Sequence, residues 1–522
     1  MNKLTTAREA VNQIKDGDTV GVNGFSFGFG FPEELAIALE ERFLETGHPR
    51  DLTLVFASGC GNGGHTEHTF GLDHFAHDGM VKKIVAGHVG LARRLSEMIN
   101  QNKIAAYNFP QGVVSHLFRA AAGGRPGVLT TVGLETFADP RVEGGKMNAL
   151  ADEELVEVVN FDDKDYLLYK SIPIDVALIR GTKGDESGNI TVTDEGVLLE
   201  TLHMAQAAHN NGGIVIAQVK DLAQRGSLHA REIYVPGIMV NDIVQAKPEN
   251  HKMNCIIDFD PSYSGDLKKP VSQIEPMKMT PRKVIAKRCA KELKPDSTIN
   301  LGIGVPEGVA MIALEEGVGD RLTMTVEAGA IGGVPGGGHT LGVSTNVETL
   351  IGQPNLFDFY DGGGLDSTFL GLAQADKDGN INVSKFNGRM VGCGGFVNIS
   401  QNTKDVVFCG TFTAGKSDIR VEDGKLNIVK DGPHNKFINK VEQITFSGDY
   451  ARKTGQKVLY VTERCVFELR PEGLTLTEIA PGVDLQKDIL DRMEFKPLIA
   501  EDLKEMDADI FKDETMGLWK DK

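Results

Sequence analysis

Several things are scarce in this chain of 522 residues. It has a single Trp and 7% aromatic residues. No run of about 18 apolar residues occurs, so a membrane-spanning helix is not expected. The first residues, Met1-Asn-Lys-Leu-Thr-Thr6, contain no apolar stretch of the kind that drives secretion. Cysteine is sparse: Cys60, Cys255, Cys289, Cys393, Cys409 and Cys465 are widely separated, with no C-x-x-C pair. That spacing excludes a disulfide framework and points to reduced, mostly buried thiols in a cytoplasmic protein. Positive charge is also in deficit: 55 Lys and Arg stand against 73 Asp and Glu, a formal charge of −18. Such a surface repels phosphate backbones, so nucleic acid is not an expected partner. A phosphorylated small molecule stays possible, because backbone amides and local cations can hold one.

Glycine, by contrast, is plentiful, at 61 residues. It clusters in short loops, which suggests tight turns and close backbone–ligand approach. A chain of this length exceeds one core and is expected to form separate domains.

The chain repeats itself. Lys15-Asp-Gly-Asp-Thr-Val20 is followed by Gly28-Phe-Gly-Phe-Pro-Glu33 and the apolar helix pattern Leu35–Glu41. Lys294-Pro-Asp-Ser-Thr-Ile299 is followed by Gly302-Ile-Gly-Val-Pro-Glu307 and the pattern Val309–Glu316. Each copy opens on a helix. In the first, Thr6 and Glu9 suit a capping box, Ala7, Val11 and Ile14 an apolar face, and Gly17 the helix end. In the second, Thr280 suits an N-cap before Pro281, with Ile285, Cys289 and Leu293 as the stripe. A later echo pairs Asp185-Glu-Ser-Gly-Asn-Ile-Thr-Val192 with Asp376-Lys-Asp-Gly-Asn-Ile-Asn-Val383. Apolar runs precede them (Val176–Ile179, Phe369–Leu372) and follow them (Ile214–Val219, Val406–Cys409).

Further strand candidates lie at Leu52–Phe56, Lys83–Ala86, Val128–Val132, Arg321–Val326 and Lys457–Val461. Strands alternating with amphipathic helices imply mainly parallel sheets. The expected fold class is therefore α/β: two similar open α/β domains arising as an internal repeat, residues 1–270 and 271–522. The stretch Ala246–Met279, rich in Pro, Lys and acids, is the expected linker. The charged stretch from Glu501 reads as a surface helix or tail.

In such sheets ligands sit beyond the carboxyl ends of strands. One turn there reads Glu327-Ala-Gly-Ala-Ile-Gly-Gly-Val-Pro-Gly-Gly-Gly338. Other glycine-rich turns are Gly21–Phe25, Phe109–His116 (read as following a helix), Tyr360–Asp366 and Val391–Phe396. Alone, Glu327 reads as readily as a capping or ion-paired residue, and Gln111 as a loop hydrogen-bonder. Asp361 to Asp366 suit substrate contact or a structural turn equally. His65, His68, His74 and His77 do not form H-E-x-x-H, so no metal is expected. Asp376–Asn380 departs from a calcium loop, with Ile381 where that loop has Gly, and reads as a hairpin turn. Gly28-Phe-Gly30 lacks the rest of a dinucleotide fingerprint.

Together, Gly24-Phe25 with Gly30-Phe-Pro32, Tyr107-Asn-Phe-Pro-Gln111-Gly112, Val326-Glu327-Ala-Gly329, Phe359-Tyr-Asp-Gly-Gly-Gly-Leu-Asp366 and Gly392-Cys-Gly-Gly-Phe396 closely resemble family I CoA-transferases. Within the family the chain is similar to the single-chain acetate/propionate CoA-transferases, from about residue 5 to 517. It departs from branches with a Ser-Glu-Asn-Gly box, which separates it from succinyl- and 3-oxoacid-specific members.

The resemblance implies that coenzyme A passes from a short-chain acyl-CoA to a free carboxylate through a glutamyl-CoA thioester. Glu327 would be the nucleophile, with Gln111 and the Gly392 amide as oxyanion donors. Gly394, Gly395 and Phe396 would contact coenzyme A, and Gly24 and Phe25 the acyl group. Coenzyme A would be a co-substrate, with no tightly bound cofactor. A homodimer or homotetramer is implied, with neither membrane nor nucleic acid as partner. Two other readings are an acyl-CoA hydrolase using the same Glu and a sensor of CoA metabolites without catalysis. Phe25, Phe27, Phe29 and Phe31 alternate, which on an extended segment places them on one face.

Overall fold

The computed structural model describes residues 2–65, 67–270 and 276–520. Two large sheets dominate it, one of 9 strands built from residues 19–245 and one of 10 strands built from residues 297–505. The boundary expected at residue 270 adjoins residues 271–275, which lie outside the described residues.

Both sheets repeat one strand order. In the first, parallel neighbours run Leu52–Phe56, Thr19–Val22, Val176–Asp185, Ile214–Ala223, Asp242–Gln245. In the second they run Leu322–Val326, Ser297–Leu301, Ser367–Gly371, Asp405–Cys409, Lys457–Val461. The sequence repeat is thus a repeat of topology. The first sheet extends its parallel edge with Val81–Ala86 and Ala105–Asn108. The second adds antiparallel flanks, Ala330–Ile331 at one side and Cys465–Arg470 with Gly473–Ile479 at the other. The central strands read as near-continuous apolar runs because both faces are covered: Leu52–Phe56 is buried at every position.

The echoed Asp-to-Asn segments form matching turns. Asp185 Oδ1 accepts from the Ser187 and Asn189 amides, and Asp376 Oδ1 from the Asp378 and Asn380 amides. Each Asn side chain donates to the other oxygen of its Asp. These are side-chain-closed turns, which satisfies the carboxylates without a metal.

Local expectations are corrected at several points. The first helix has its capping box at Thr6 and Glu9, but spans only Ala7–Val11. Gly17, at φ +81°, lies in the next turn instead of capping it. The second opening helix, Pro281–Ala290, follows Thr280, whose side chain makes no cap bond. The expected strand Val128–Val132 forms at Gly127–Thr130, in a separate antiparallel sheet with Val156–Phe161 and Lys164–Lys170. The Phe109–His116 turn follows the strand Ala105–Asn108, not a helix. The charged stretch from Glu501 belongs to the edge strand Leu498–Glu505, whose mostly exposed position tolerates charge on an extended chain. Ile510 and Phe511 after it are buried. The Phe25–Phe31 segment is not extended. Ser26, Gly28 and Gly30 take positive φ, and Phe25 pairs back on Phe29.

The cysteines are all free thiols, and only Cys255 is partly exposed. No helix among the described residues is long and apolar enough to cross a membrane.

Candidate active site

The two sheets present their carboxyl-terminal edges to a shared cavity of about 470 Å³. Strand after strand ends on its wall. Thr19–Val22 leads to Phe25 and Ser26, Leu52–Phe56 to Ser58, Val81–Ala86 to His88, and Ala105–Asn108 to Gln111. From the second sheet, Ser297–Leu301 leads to Gly302, Leu322–Val326 to Glu327, and Ser367–Gly371 ends there. This is where parallel α/β sheets place ligands.

Glu327 is half-buried and lines the cavity. Burial pushes its carboxyl above the usual carboxylate range, and no cation offsets this. A polar network lies beside it, reaching the cavity wall at Asn300. The Tyr360 hydroxyl donates to Thr325 Oγ1 at 2.7 Å, and Asn300 Nδ2 donates to the Tyr360 oxygen at 3.3 Å. The following Gly329 is at φ +118°, and a Cβ there would lie 2.0 Å from the Ile351 carbonyl. Only glycine permits this turn.

Gln111 opens the helix Gln111–Ala122 and is 2% exposed. Its backbone N–H donates to the Gly394 carbonyl at 2.9 Å. Its side-chain Nε2 is buried and has no hydrogen-bond partner among the described residues. A buried amide donor left open on a cavity wall is costly unless a ligand uses it.

The Gly392–Phe396 turn closes over the same space. Gly394 N–H donates to the Gly87 carbonyl at 2.8 Å. Gly395 packs beside Glu327, since a Cβ there would lie 3.4 Å from Glu327 Cγ. Phe396 lines the cavity and stacks on Phe408, with ring centroids 5.6 Å apart. Gly392, at φ +93°, is also on the wall, but its N–H donates to the Ser384 carbonyl over a long 3.3 Å.

The expected acyl-side residues separate. Phe25 and Phe27 line the cavity, whereas Phe29 and Phe31 pack into the core. Gly24 lies behind the wall, where a Cβ would meet the Phe31 ring at 2.8 Å and Cys60 Cβ at 3.1 Å. Asp361 accepts from Asn398 Nδ2 and Asp366 from the Thr298 amide, so both bond within the protein.

The histidine-rich loop holds an ion-pair cluster. His74 bonds Glu33 at 2.8 Å and Glu40 at 2.5 Å, and His77 bonds Glu40 at 2.6 Å. Among the described residues no group of His, Cys, Asp and Glu is arranged to hold a metal.

Among the wall residues not expected from sequence, Ser26 and His88 stand out. Ser26 is buried at φ +52° with its Oγ unpartnered. His88 follows a strand end, and burial pushes its imidazole down to about 4, leaving it neutral. Strand-end position was the available signal for His88. Ser26 carries none, because its unusual backbone exists only in the folded turn.

Comparison with known proteins places the chain in a family. The coenzyme A transferase family model matches residues 4–246. The chain is 47% identical to caffeate CoA-transferase of Acetobacterium woodii, covering 99% of each chain. It is 43% identical to acetate CoA-transferase YdiF of Escherichia coli K12, covering 98% of this chain and 96% of that one. The crystal structure of the acyl-CoA transferase YdiF from E. coli O157:H7, a thioester complex with CoA, superposes with a TM-score of 0.92 at 42% identity, covering 99% of this chain and 97% of that one. The chain belongs to the family I coenzyme A transferases, with coenzyme A as co-substrate.

Proposed function

We propose that the enzyme transfers coenzyme A from a short-chain acyl-CoA (acetyl-, propionyl- or butyryl-CoA) to a free short-chain carboxylate, with Glu327 as nucleophile. The observation that carries this reading is the pairing, on one cavity, of a desolvated carboxylate with an unpartnered amide donor, Gln111 Nε2.

A carboxylate oxygen of Glu327 attacks the thioester carbonyl carbon. The C–S bond breaks, coenzyme A leaves as thiolate, and a mixed anhydride forms. The thiolate then attacks the glutamyl carbonyl carbon, releasing the first acid as its carboxylate and leaving a glutamyl-CoA thioester. A second carboxylate reverses these steps. No proton is transferred to or from the nucleophile, because Glu327 reacts ionised. Its desolvation strengthens it for attack. Each tetrahedral intermediate carries an oxyanion, which Gln111 Nε2–H stabilises, with the Gly392 N–H as second donor once it turns from Ser384. One such donor contributes about 3–4 kcal/mol.

Residues 1–270 supply Gln111 and the acyl wall at Phe25, and residues 271–522 supply Glu327 and the coenzyme A contacts at Gly394, Gly395 and Phe396. Binding energy from the distant nucleotide end lowers the barrier at the thioester. The Phe25 and Phe27 rings on the wall favour a small acyl group over an aromatic one.

The deciding experiment is intact-protein mass after mixing with acetyl- or propionyl-CoA without an acceptor acid. Wild type should gain a coenzyme A-sized adduct that hydroxylamine removes, and Glu327→Gln should gain none. Steady thioester loss without acceptor and without adduct would instead mark a hydrolase. Binding with neither adduct nor acid release would mark a sensor.

A further inference from the structure

The helix that begins at Gln111 lacks a cap of its own. Its N-cap is Pro110, whose side chain makes no cap hydrogen bond. Early helical N–H groups have no acceptor within the helix and need one elsewhere. Here they come from the other half of the chain. The Gln111 N–H goes to the Gly394 carbonyl, and the Gly112 N–H goes to Asn398 Oδ1 at 3.0 Å, across 286 residues of sequence.

Asn398 is wholly buried on the short helix Phe396–Gln401. Its Nδ2 donates to both oxygens of Asp361, at 2.9 and 3.2 Å. Asp361 ends the helix Gln353–Asp361 and is the acceptor that orients the amide. A carboxylate accepts only, so the Asn398 nitrogen faces Asp361 and its oxygen faces Gly112. Packing leaves this arrangement no slack: a Cβ on Gly112 would lie 2.5 Å from Asn398 Nδ2 and 2.6 Å from the Phe357 ring. The same short segment thus touches Glu327 through Gly395, the Gln111 backbone through Gly394, and the next amide through Asn398.

We propose that Asn398 is a positioning residue for the reaction: held by Asp361, it grips the Gly112 N–H and so aims the Gln111 side chain at the oxyanion that forms beside Glu327. This rests on the reading of Gln111 as the oxyanion donor. Asn398 touches neither substrate nor the reacting atoms. Its effect passes through a backbone bond next to Gln111, so it should change the rate of the chemical step more than the binding of acyl-CoA.

The test is the rate of coenzyme A adduct formation on the full chain with propionyl-CoA, followed by intact mass, for wild type, Asn398→Ala, Gln111→Ala and the double variant. Asn398→Ala should slow adduct formation by about 10–100-fold, with the KM for propionyl-CoA changed less than about threefold. On the Gln111→Ala background it should slow it by less than about threefold, because the residue it acts through is gone. A second pair guards against misfolding. Asn398→Asp alone faces Asp361 with like charge. Asn398→Asp with Asp361→Asn restores one acceptor for Gly112 and one donor across the pair, and should recover most of the rate. Multiplicative losses in the Gln111/Asn398 double variant, or a loss confined to KM, would overturn the positioning role. An exchange pair that folds but stays as slow as Asn398→Asp would overturn it as well. Absence of adduct on wild type would instead remove the nucleophile reading itself, before any Asn398 variant is compared.

Discussion

The backbone N–H of Gln111 donates to the carbonyl of Gly394 at 2.9 Å, joining the turn that carries the open amide to the turn that packs on Glu327. The two turns are far apart in sequence and come from different sheets. A main-chain bond therefore fixes the backbone of the Gln111 turn against the turn that packs on Glu327.

Removing the donor while leaving that main-chain bond isolates its chemistry. Gln111→Ala keeps the backbone hydrogen bond and deletes Nε2. Turnover should fall by about 10²–10³-fold, with little change in melting temperature. Steady-state kinetics beside a thermal melt checks this. An unchanged kcat would exclude Gln111 as the oxyanion donor.

The buried carboxylate predicts an acid limb. Burial raises the Glu327 pKa, so the reactive ionised form is lost on acidification at a pH above the ordinary carboxylate range of about 4.3. The kcat/KM profile of wild type should fall there. Asp361, which burial pushes up to about 6, and Glu200, which burial pushes up to about 7, titrate in a range that can mimic this. The limb should persist in Asp361→Asn and in Glu200→Gln if Glu327 is its source.

Two glycines on the wall should respond differently to a methyl group. Gly395 has φ −78°, which alanine accepts, and its Cβ would lie 3.1 Å from Ile399 and 3.4 Å from Glu327. Gly395→Ala should fold normally and react more slowly, by about tenfold for each 1.4 kcal/mol of misplacement. Gly392 is at φ +93°, and its Cβ would lie 2.8 Å from the His88 Cα. Gly392→Ala should lose about 1–3 kcal/mol of stability. Denaturant melts of the pair, read against activity, separate the two effects. Equal stabilities would show that the strained turn relaxes freely.

His74 supplies a stability test remote from the chemistry. Burial alone would depress its pKa, but Glu33 and Glu40 outweigh burial and raise it to about 9. A pKa raised on folding stabilises fully below the unfolded value, near 6.5, and that stability is lost as pH climbs through 9. The unfolding free energy of wild type, read from denaturant melts, should decline from pH 6.5 to 9. That of His74→Gln should start lower, by on the order of 3 kcal/mol, and decline less. A parallel decline in both proteins would mean that His74 does not carry the charge.

What the sequence determined by itself is the repeat and its consequences. Period and order of apolar runs specify parallel strands buried on both faces, and the duplicated Lys-to-Glu and Asp-to-Asn segments specify two sheets of one topology. The strand-end position of Glu327 before glycines was legible as a local pattern, but alone that pattern suits a capping or ion-paired residue as readily as a nucleophile. The resemblance of several short motifs to one family carried the rest of the expected site. Tertiary structure alone decided that Gly24 supports the wall from behind while Phe25 lines it. It also decided that the phenylalanines coil back through positive φ and do not alternate along a strand. Ser26 and Asn398 joined the site only in three dimensions, because their significance lies in missing or distant partners. The Asn398–Gly112 bond spans 286 residues. Periodicity reports which face of its own element a residue occupies. It carries no information about which turn of the other sheet that face will meet.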